Sequence, residues 1–444
     1  MRNFCQNTHT LFNPKDYFLL ISMGSVKPLM PCCLPDSLCC PGDDGKRSRM
    51  VIVMLVLFVF CQTGVLTAQA ETGSVVTSSK CVRDYDPGVD YFPDKAVLTH
   101  AEGFSLEYHR HYKVLTVNTP WPGARRSFRY YLVQCGTPVP RIRQGDQVIP
   151  IPIDTVAMLS ITHLPHLILL DVVDRLVAVN DTDFVSSIAI RQRIEQGDVR
   201  EIARGPSINT EVLLDLAPRL VMVSGNDQPG QNDHPALQAS GIQFVINAEY
   251  VEPTLLGRSE WLKFTAAFFN REGRAEQYFD SIKEKFESFR ALTQTIPRQQ
   301  KPSVFGGSLF RDIWHVAGGK SYAAELIAVA GGRYVWADDT HRGAIPLSFE
   351  TVYDRASEAS VWITGGLQWR SRIDLLAANE RYADFNAFKN GRVYNNNRRL
   401  SPLGGNDFWE TGVVEPHLLL ADMIKILHPD RLPTHQLKYY LRLP

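Results

Sequence analysis

The sequence predicts an α/β protein: two parallel-sheet lobes joined by a long rigid helix, with a small N-terminal antiparallel β extension. Three observations carry this. A phrase occurs twice, Glu211-Val-Leu-Leu-Asp215-Leu-Ala217 and, 139 positions later, Glu350-Thr-Val-Tyr-Asp354-Arg-Ala356, each followed by an apolar run, Leu220-Val-Met-Val223 and Val361-Trp-Ile-Thr364. A unit built twice is the natural reading. Short apolar runs alternate with helical stretches on both sides of residue 275, which is the rhythm of parallel α/β lobes. Between them lies a stretch from Glu260 to Leu292 with no proline and a single glycine, Gly273.

Taken in order, Lys46-Arg47-Ser48-Arg49 precedes an apolar run from Met50 to Phe60 and a small-residue Ala68-Gln69-Ala70 pattern. That order predicts a secretory signal over residues 1–70, cleaved after Ala70 and leading to the periplasm. The run is too short for a membrane span, which needs roughly 20 apolar residues. Met23, Met30 and Met50 remain alternative starts. Cys61 follows Phe58-Val59-Phe60, without the small residue that lipoprotein processing favours, so a lipid anchor is not the expectation. The doublets Cys32-Cys33 and Cys39-Cys40 lack partners at zinc-finger spacing. Beyond the cleavage site only Cys81 and Cys135 remain, two thiols in an oxidising compartment that are able to pair.

Residues 71–150 read as the β extension. Phe104-Ser-Leu-Glu-Tyr108, Tyr112-Lys-Val-Leu-Thr-Val117 and Phe128-Arg-Tyr-Tyr-Leu-Val133 alternate and are separated by turn residues. Residues 151–258 read as the first lobe, with strands at Thr155-Val-Ala-Met-Leu159, Leu176-Val-Ala-Val179, Leu220-Val-Met-Val223 and Phe244-Val-Ile246. Residues 259–296 read as the connecting helix, since Phe268, Ala275, Phe279, Ile282, Phe286 and Phe289 fall at helical spacing; this is one long amphipathic helix or two nearly continuous ones, with Gly273 as the candidate break. Residues 297–444 form the second lobe, with strands at Ser303-Val-Phe305 and Val361-Trp-Ile363 and helices over 321–330 and 417–427.

Composition narrows the function. Lys plus Arg and Asp plus Glu both number 47, so no electrostatic footprint for nucleic acid exists. Gly318-Gly-Lys-Ser321 resembles the end of a phosphate loop, but Trp314 stands where its first glycine belongs. Gly306-Gly-Ser308 fails as a nucleophile elbow because Phe310 replaces the second glycine. No enzyme is predicted. His163 and His166, even with His234 or His315, do not complete a metal-ligand set, so no metal site is expected. Glu211 and Glu350 fall in the first turn of a helix in each lobe, where the helix dipole stabilises them. Their duplication is what docking on a two-fold partner requires.

These residues resemble the helical-backbone periplasmic binding proteins for ferric siderophores and vitamin B12. The similarity covers about residues 151–432. One signature reads Gly205-Pro-Ser-Ile-Asn209-Thr-Glu211, then Asp215-Leu-Ala-Pro218-Arg-Leu-Val-Met-Val223, with Arg219 where the family has an acid. The other reads Gly318-Gly-Lys-Ser-Tyr-Ala-Ala-Glu-Leu-Ile-Ala-Val-Ala330-Gly-Gly332, Ser348-Phe-Glu350 and Ile363-Thr-Gly-Gly366. Asn118-Thr-Pro-Trp-Pro122-Gly-Ala resembles a segment ahead of the lobes in some chelate-binding relatives. The resemblance implies a monomer that captures a metal chelate between the lobes and delivers it to the permease dimer of an inner-membrane ABC importer. Glu211 and Glu350 then meet arginines on the two permease subunits.

Ligands of such folds lie at loops off the carboxyl ends of strands. Those loops are 160–165, 180–184 and 224–228 in the first lobe and 307–314, 336–342, 369–372 and 397–409 in the second. The candidate ligand-binding residues are His163, Asp183, Phe184, Arg311, Trp314, Trp336, Arg342, Trp369, Arg398, Arg399 and Trp409. Flat aromatics and guanidinium groups suit an anionic ferric siderophore. Cobalamin and a bare transition metal are the alternatives, and no cofactor is expected.

Overall fold

The computed structural model describes residues 81–204, 207–225 and 235–444. The signal over 1–70, residues 71–80, Gly205 and Pro206 of the first signature, the cleft stretch 226–228 and His234 lie outside the described residues.

Alternating side chains in β1 (Phe104–Tyr108), β2 (Tyr112–Val117) and β3 (Phe128–Gln134) build an antiparallel meander. A fourth strand, β4 (Gln147–Ile151), joins β3 in parallel, so the extension is a mixed sheet and not a purely antiparallel one. Residues 135–146 supply the crossover of about a dozen residues that a parallel pair needs. Cys81 and Cys135 are bonded, their Cα atoms 4.7 Å apart, which ties the chain ahead of β1 to the end of β3.

In the first lobe β5 (Val156–Met158), β6 (Leu176–Val179) and β7 (Arg200–Glu201) are followed by a small ribbon of β8 (Ala203–Arg204) and β9 (Ser207–Ile208), then β10 (Leu220–Ser224) and β11 (Phe244–Asn247). The main sheet runs β11-β10-β5-β6-β7, all parallel. Helices α1 (Leu164–Leu169), α2 (Ile188–Gln196), α3 (Thr210–Leu216) and α4 (Pro235–Ser240) connect the strands. Local chemistry sets their starts: the Ser187 and Asn209 side chains cap α2 and α3 by accepting the N–H of Ile190 and Val212.

Of the two expected forms of the connecting segment, the structure has two helices, α5 (Leu255–Ala266) and α6 (Glu272–Ala291). The break lies at residues 267–271, ahead of Gly273, which sits inside α6. Asn270 takes φ +54° there. The carbonyls released at the end of α5 are taken by tertiary partners. Lys113 Nζ donates to Ala267 O at 2.9 Å, and Ile153 N donates to Phe268 O at 3.0 Å. No periodicity in residues 259–296 encodes those partners.

The second lobe contains β12 (Ser303–Gly306), the antiparallel hairpin β13 (Ser308–Phe310) and β14 (Ile313–Ala317), β15 (Arg333–Tyr334), β16 (Ala344–Leu347), β17 (Val361–Thr364), β18 (Val393–Asn395) and β19 (Leu441–Arg442). Its main sheet runs β15-β12-β17-β18-β19, parallel except for β19 at the edge; β16 pairs with β14 in a separate sheet. The helices are α7 (Tyr322–Val329), α8 (Phe349–Ala356), α9 (Arg372–Ala378), α10 (Asn386–Lys389), α11 (Thr411–Val414) and α12 (Pro416–Leu427).

Every one of the twelve residues of α5 is buried, including Arg258, Glu260 and Lys263. The extension satisfies these charges. Glu260 accepts the N–H groups of Thr99, His100 and Ala101 at 2.9, 2.7 and 2.7 Å and pairs with Lys263 at 2.9 Å. Lys263 also donates to Val97 O at 2.6 Å and pairs with Glu276 of α6 at 2.9 Å. Glu252 accepts from Gly103 N and Trp261 Nε1, both at 2.8 Å, and Lys113 of β2 pairs with Glu272. Removing one member of such a buried set strands the others without compensation. Glu260→Ala is expected to lose about 3 kcal/mol of stability in urea unfolding, and Glu260→Gln, which still accepts hydrogen bonds, less.

Candidate functional site

Each main sheet reverses its strand order once. In the first lobe this happens between β5 and β10, and in the second between β12 and β17. Loops leaving the carboxyl ends of strands at such points open a crevice. The loops of the two lobes meet here. The Glu410 carboxylate, from the loop region after β18, accepts the N–H of Ser186 at 2.6 Å and of Ser187 at 3.0 Å, after β6. Gly405 lies so near Phe184 that a Cβ there would stand 2.4 Å from the Phe184 carbonyl oxygen. Trp409 packs against the cores of both lobes. On the α5 side, the Arg258 guanidinium lies 4.5 Å from the centre of the Tyr322 ring, joining α5 to α7. The extension also reaches this end, since a Cβ on Gly225 after β10 would fall 1.6 Å from the Pro120 carbonyl.

The loop ends carry polar atoms that are buried and unpaired. From the first lobe they are both ring nitrogens of His163, Nε2 of His166, Oδ1 of Asn180 and Oγ of Ser186. From the second they are Oγ1 of Thr364, Oδ1 of Asn396 and Asn397, and Nδ2 of Asn406. Buried polar atoms pair with protein, water or ligand, so a group of them left open at the strand ends of both lobes marks this region as the candidate site. All eight side chains are neutral. Burial pushes the His163 and His166 rings down to about 3, which keeps them uncharged. His166 Nδ1 is fixed by the Thr265 hydroxyl at 2.8 Å, and the two rings lie 6.4 Å apart. In the second lobe Asn395 and Asn397 each donate to the Trp369 carbonyl, at 2.8 and 2.9 Å, so the loop over 366–369 is held by the asparagines beside it.

Among the predicted ligand residues, His163 belongs to this set. Phe184 and Trp409 lie at the contact between lobes, and the Asp183 N–H is tied to Asp181 Oδ1 at 3.0 Å. Trp314, Trp336 and Trp369 do not line the crevice; they are core residues, 0%, 3% and 4% exposed. Trp314 packs at tilted angles among Phe305, Trp362 and Phe385, with its indole N–H on Gly306 O at 3.1 Å. The arginines do not form an array on the polar floor either. Arg399 pairs with Asp407 at 2.6 Å, Arg311 stands exposed in the β13–β14 turn at φ +48°, Arg398 is exposed, and Arg342 lies beside the start of α7. Asn180, Asn397 and Asn406 lie in the loops selected from the sequence but were not named among the ligand residues, and Ser186, Thr364, Asn396 and Glu410 lie outside those loops. The run Asn395-Asn396-Asn397 directly after an apolar strand was the one signal available. Among the described residues no group of three or more His, Cys, Asp or Glu is placed to hold a metal, and no helix is long and apolar enough to cross a membrane.

Glu211 and Glu350 occupy the same position, second in α3 and second in α8, after the side-chain caps Asn209 and Ser348. Both are exposed. Glu350 pairs with Arg381 at 3.0 Å, and its own backbone N–H together with Arg381 holds its carboxyl below the usual range.

Residues 156–399, more than half of the chain, match the family described as periplasmic binding protein. The chain is 26% identical over 412 residues to an uncharacterized lipoprotein of Methanocaldococcus jannaschii, covering 89% of this chain and 98% of that protein. A second uncharacterized lipoprotein of that organism is 27% identical over 260 residues, which span 57% of this chain and 58% of the relative. In fold, the chain is similar to Helicobacter pylori CeuE solved with Ni(II) bound, at a TM-score of 0.50 and 17% identity over 65% of this chain and 88% of that one.

Two outcomes follow from the geometry. Glu410→Ala takes the acceptor from two half-buried N–H groups, at a cost of about 1 kcal/mol, and is expected to speed hydrogen exchange at Ser186 and Ser187 at least tenfold. For the histidines, the unfolded chain binds protons near pH 6.5 that the native state refuses down to about 3. Their stabilising contribution is therefore full above pH 6.5 and is lost on acidification, by ~2 kcal/mol per ring at pH 5. Glu325 and Glu410, raised by burial to about 7, act in the opposite direction over the same range. The check is the melting temperature at pH 5 minus that at pH 7, which is expected to be more positive in the His163→Asn/His166→Gln variant than in the parent, because the histidine loss on acidification is gone and the carboxyl gain remains.

Proposed function

The chain belongs to the periplasmic binding protein family, and from that premise we propose that it captures a ferric siderophore between its lobes and hands it to the permease dimer of an ABC importer. The observation that supports this reading most is the set of unpaired, buried, neutral polar atoms from both lobes. A ligand that fills it must offer hydrogen-bond donors and acceptors in many directions while carrying little charge, because a net charge buried against neutral side chains is costly. A ferric trihydroxamate answers that description, since three monoanionic groups cancel the charge of Fe(III) and the iron-bound oxygens at its rim keep lone pairs that accept hydrogen bonds. This revises the anionic chelate expected from the arginines, because Arg311, Arg342, Arg398 and Arg399 do not gather with the unpaired polar atoms.

Cobalamin is the second reading, favoured by the same asparagines, because its peripheral amides are self-complementary partners for Asn180, Asn396, Asn397 and Asn406. A bare-metal receptor has less support, with two buried histidines and no third ligand beside them among the described residues. Glu211 and Glu350, at one position on each lobe, suit arginines on a two-fold permease. The segment from Lys46 to Ala70 supports export to the periplasm, where such a partner is reached.

The test of the ligand is a tryptophan-fluorescence titration with a ferric trihydroxamate, a ferric catecholate, ferric citrate and cobalamin. Saturable quenching by the trihydroxamate is expected; a response to cobalamin alone would move the protein to vitamin import. Thr364→Val/Asn396→Ala is expected to weaken binding at least tenfold, the equivalent of about 1.4 kcal/mol. Glu211→Ala/Glu350→Ala is expected to leave ligand affinity unchanged and abolish complex formation with the permease in detergent.

A further inference from the structure

A groove of about 760 Å³ runs along α7, outside the contact between the lobes. Its floor is open because the facing residues are small. Ala324 and Ala328, four apart, share one face of α7, and Gly332 follows beyond its end. The eight residues of α7 span about 12 Å.

Five cationic side chains line this groove, and they divide between its ends. Lys320 precedes α7, and its N–H donates to the His341 carbonyl at 3.0 Å, which brings Arg342 to the same end. Arg333 follows α7, and its N–H donates to the Pro302 carbonyl at 2.8 Å, which gathers Lys301 and Arg298 at the other. None of the five has a carboxylate within ion-pair distance among the described residues. Other arginines of the lobe do find one: Arg381 pairs with Glu350, Arg355 with Asp338, and Arg399 with Asp407. The carboxylate that lines the groove, Glu325, is engaged by the Leu255 N–H at 2.6 Å. Guanidinium forks at both ends match carboxylate or phosphate groups, and the volume is that of a small-molecule site. A compact monoanion reaches only one end.

We propose that this groove is a second ligand site, which takes an elongated organic anion with a carboxylate or phosphate group at each end and a short apolar body over Ala324 and Ala328. The site is independent of chelate capture in the crevice and does not rest on it.

The test is isothermal titration calorimetry of the purified full chain at low salt with two pairs of probes. Suberate is compared with octanoate, which has one carboxylate on a similar body, and fructose 1,6-bisphosphate with inorganic phosphate. At least one dianion is expected to bind tenfold or more tightly than its one-ended counterpart, and the better pair identifies the charged group. Arg298→Gln/Arg333→Gln and Lys320→Gln/Arg342→Gln are each expected to weaken that binding at least tenfold, with the melting temperature unchanged. Dianions no tighter than monoanions, or binding unaltered in both variants, would overturn the proposal. So would co-sedimentation with phosphatidylglycerol vesicles in the absence of saturable binding by either soluble dianion, which would make the groove a headgroup contact.

Discussion

The architecture depends on keeping one wholly buried helix electrostatically satisfied. α5 has no solvent face, yet it carries Arg258, Glu260 and Lys263, and a buried charge is tolerated only with close partners. Those partners come from three places. The backbone amides of 99–101 and the Val97 carbonyl come from the extension, Glu249 from the turn after β11, and Glu276 from α6. The extension is therefore a structural surface of the core, without which Glu260 and Lys263 would face solvent unevenly. Because Thr265 of the same helix holds His166, and Arg258 covers Tyr322, the satisfied helix also fixes where each lobe stands.

That fixed frame explains how the crevice tolerates unpaired polar atoms. Each such atom opposes the closed arrangement, and Glu410 with its two N–H donors, Gly405 against Phe184 and Trp409 between the cores supply opposing contacts. Keeping the floor neutral matters as well. His163 and His166 remain uncharged because burial disfavours the imidazolium in both, helped by Arg258 at His163 and by His163 at His166.

Much of the fold was legible because it is written in local pattern. The twin Glu phrases and the apolar runs after them are short-range signals, and the structure adds side-chain caps at Asn209 and Ser348 ahead of them. The site was less legible. Trp314, Trp336 and Trp369 sit in segments that read as loops at strand ends, but an antiparallel sheet of β13, β14 and β16, with no clear alternation to announce it, folds Trp314 back into the core. Arg399 looked available for an anion and is taken by Asp407, eight residues on. The asparagines that do line the floor have no charge and no periodicity, so nothing in their type marked them.

The sequence by itself determined the two α/β lobes, the equivalent exposed carboxylates on them, and the helical linkage between them, because periodicity, capping and duplication are properties of neighbouring residues. The tertiary structure alone decided where that linkage breaks, which aromatics are core, and which polar atoms share the crevice. The break exists because Lys113 and Ile153 claim carbonyls more than a hundred positions away, and the crevice exists because Glu410 reaches residues 186 and 187. Such pairings depend on which surfaces meet in space, and no local pattern carries that information.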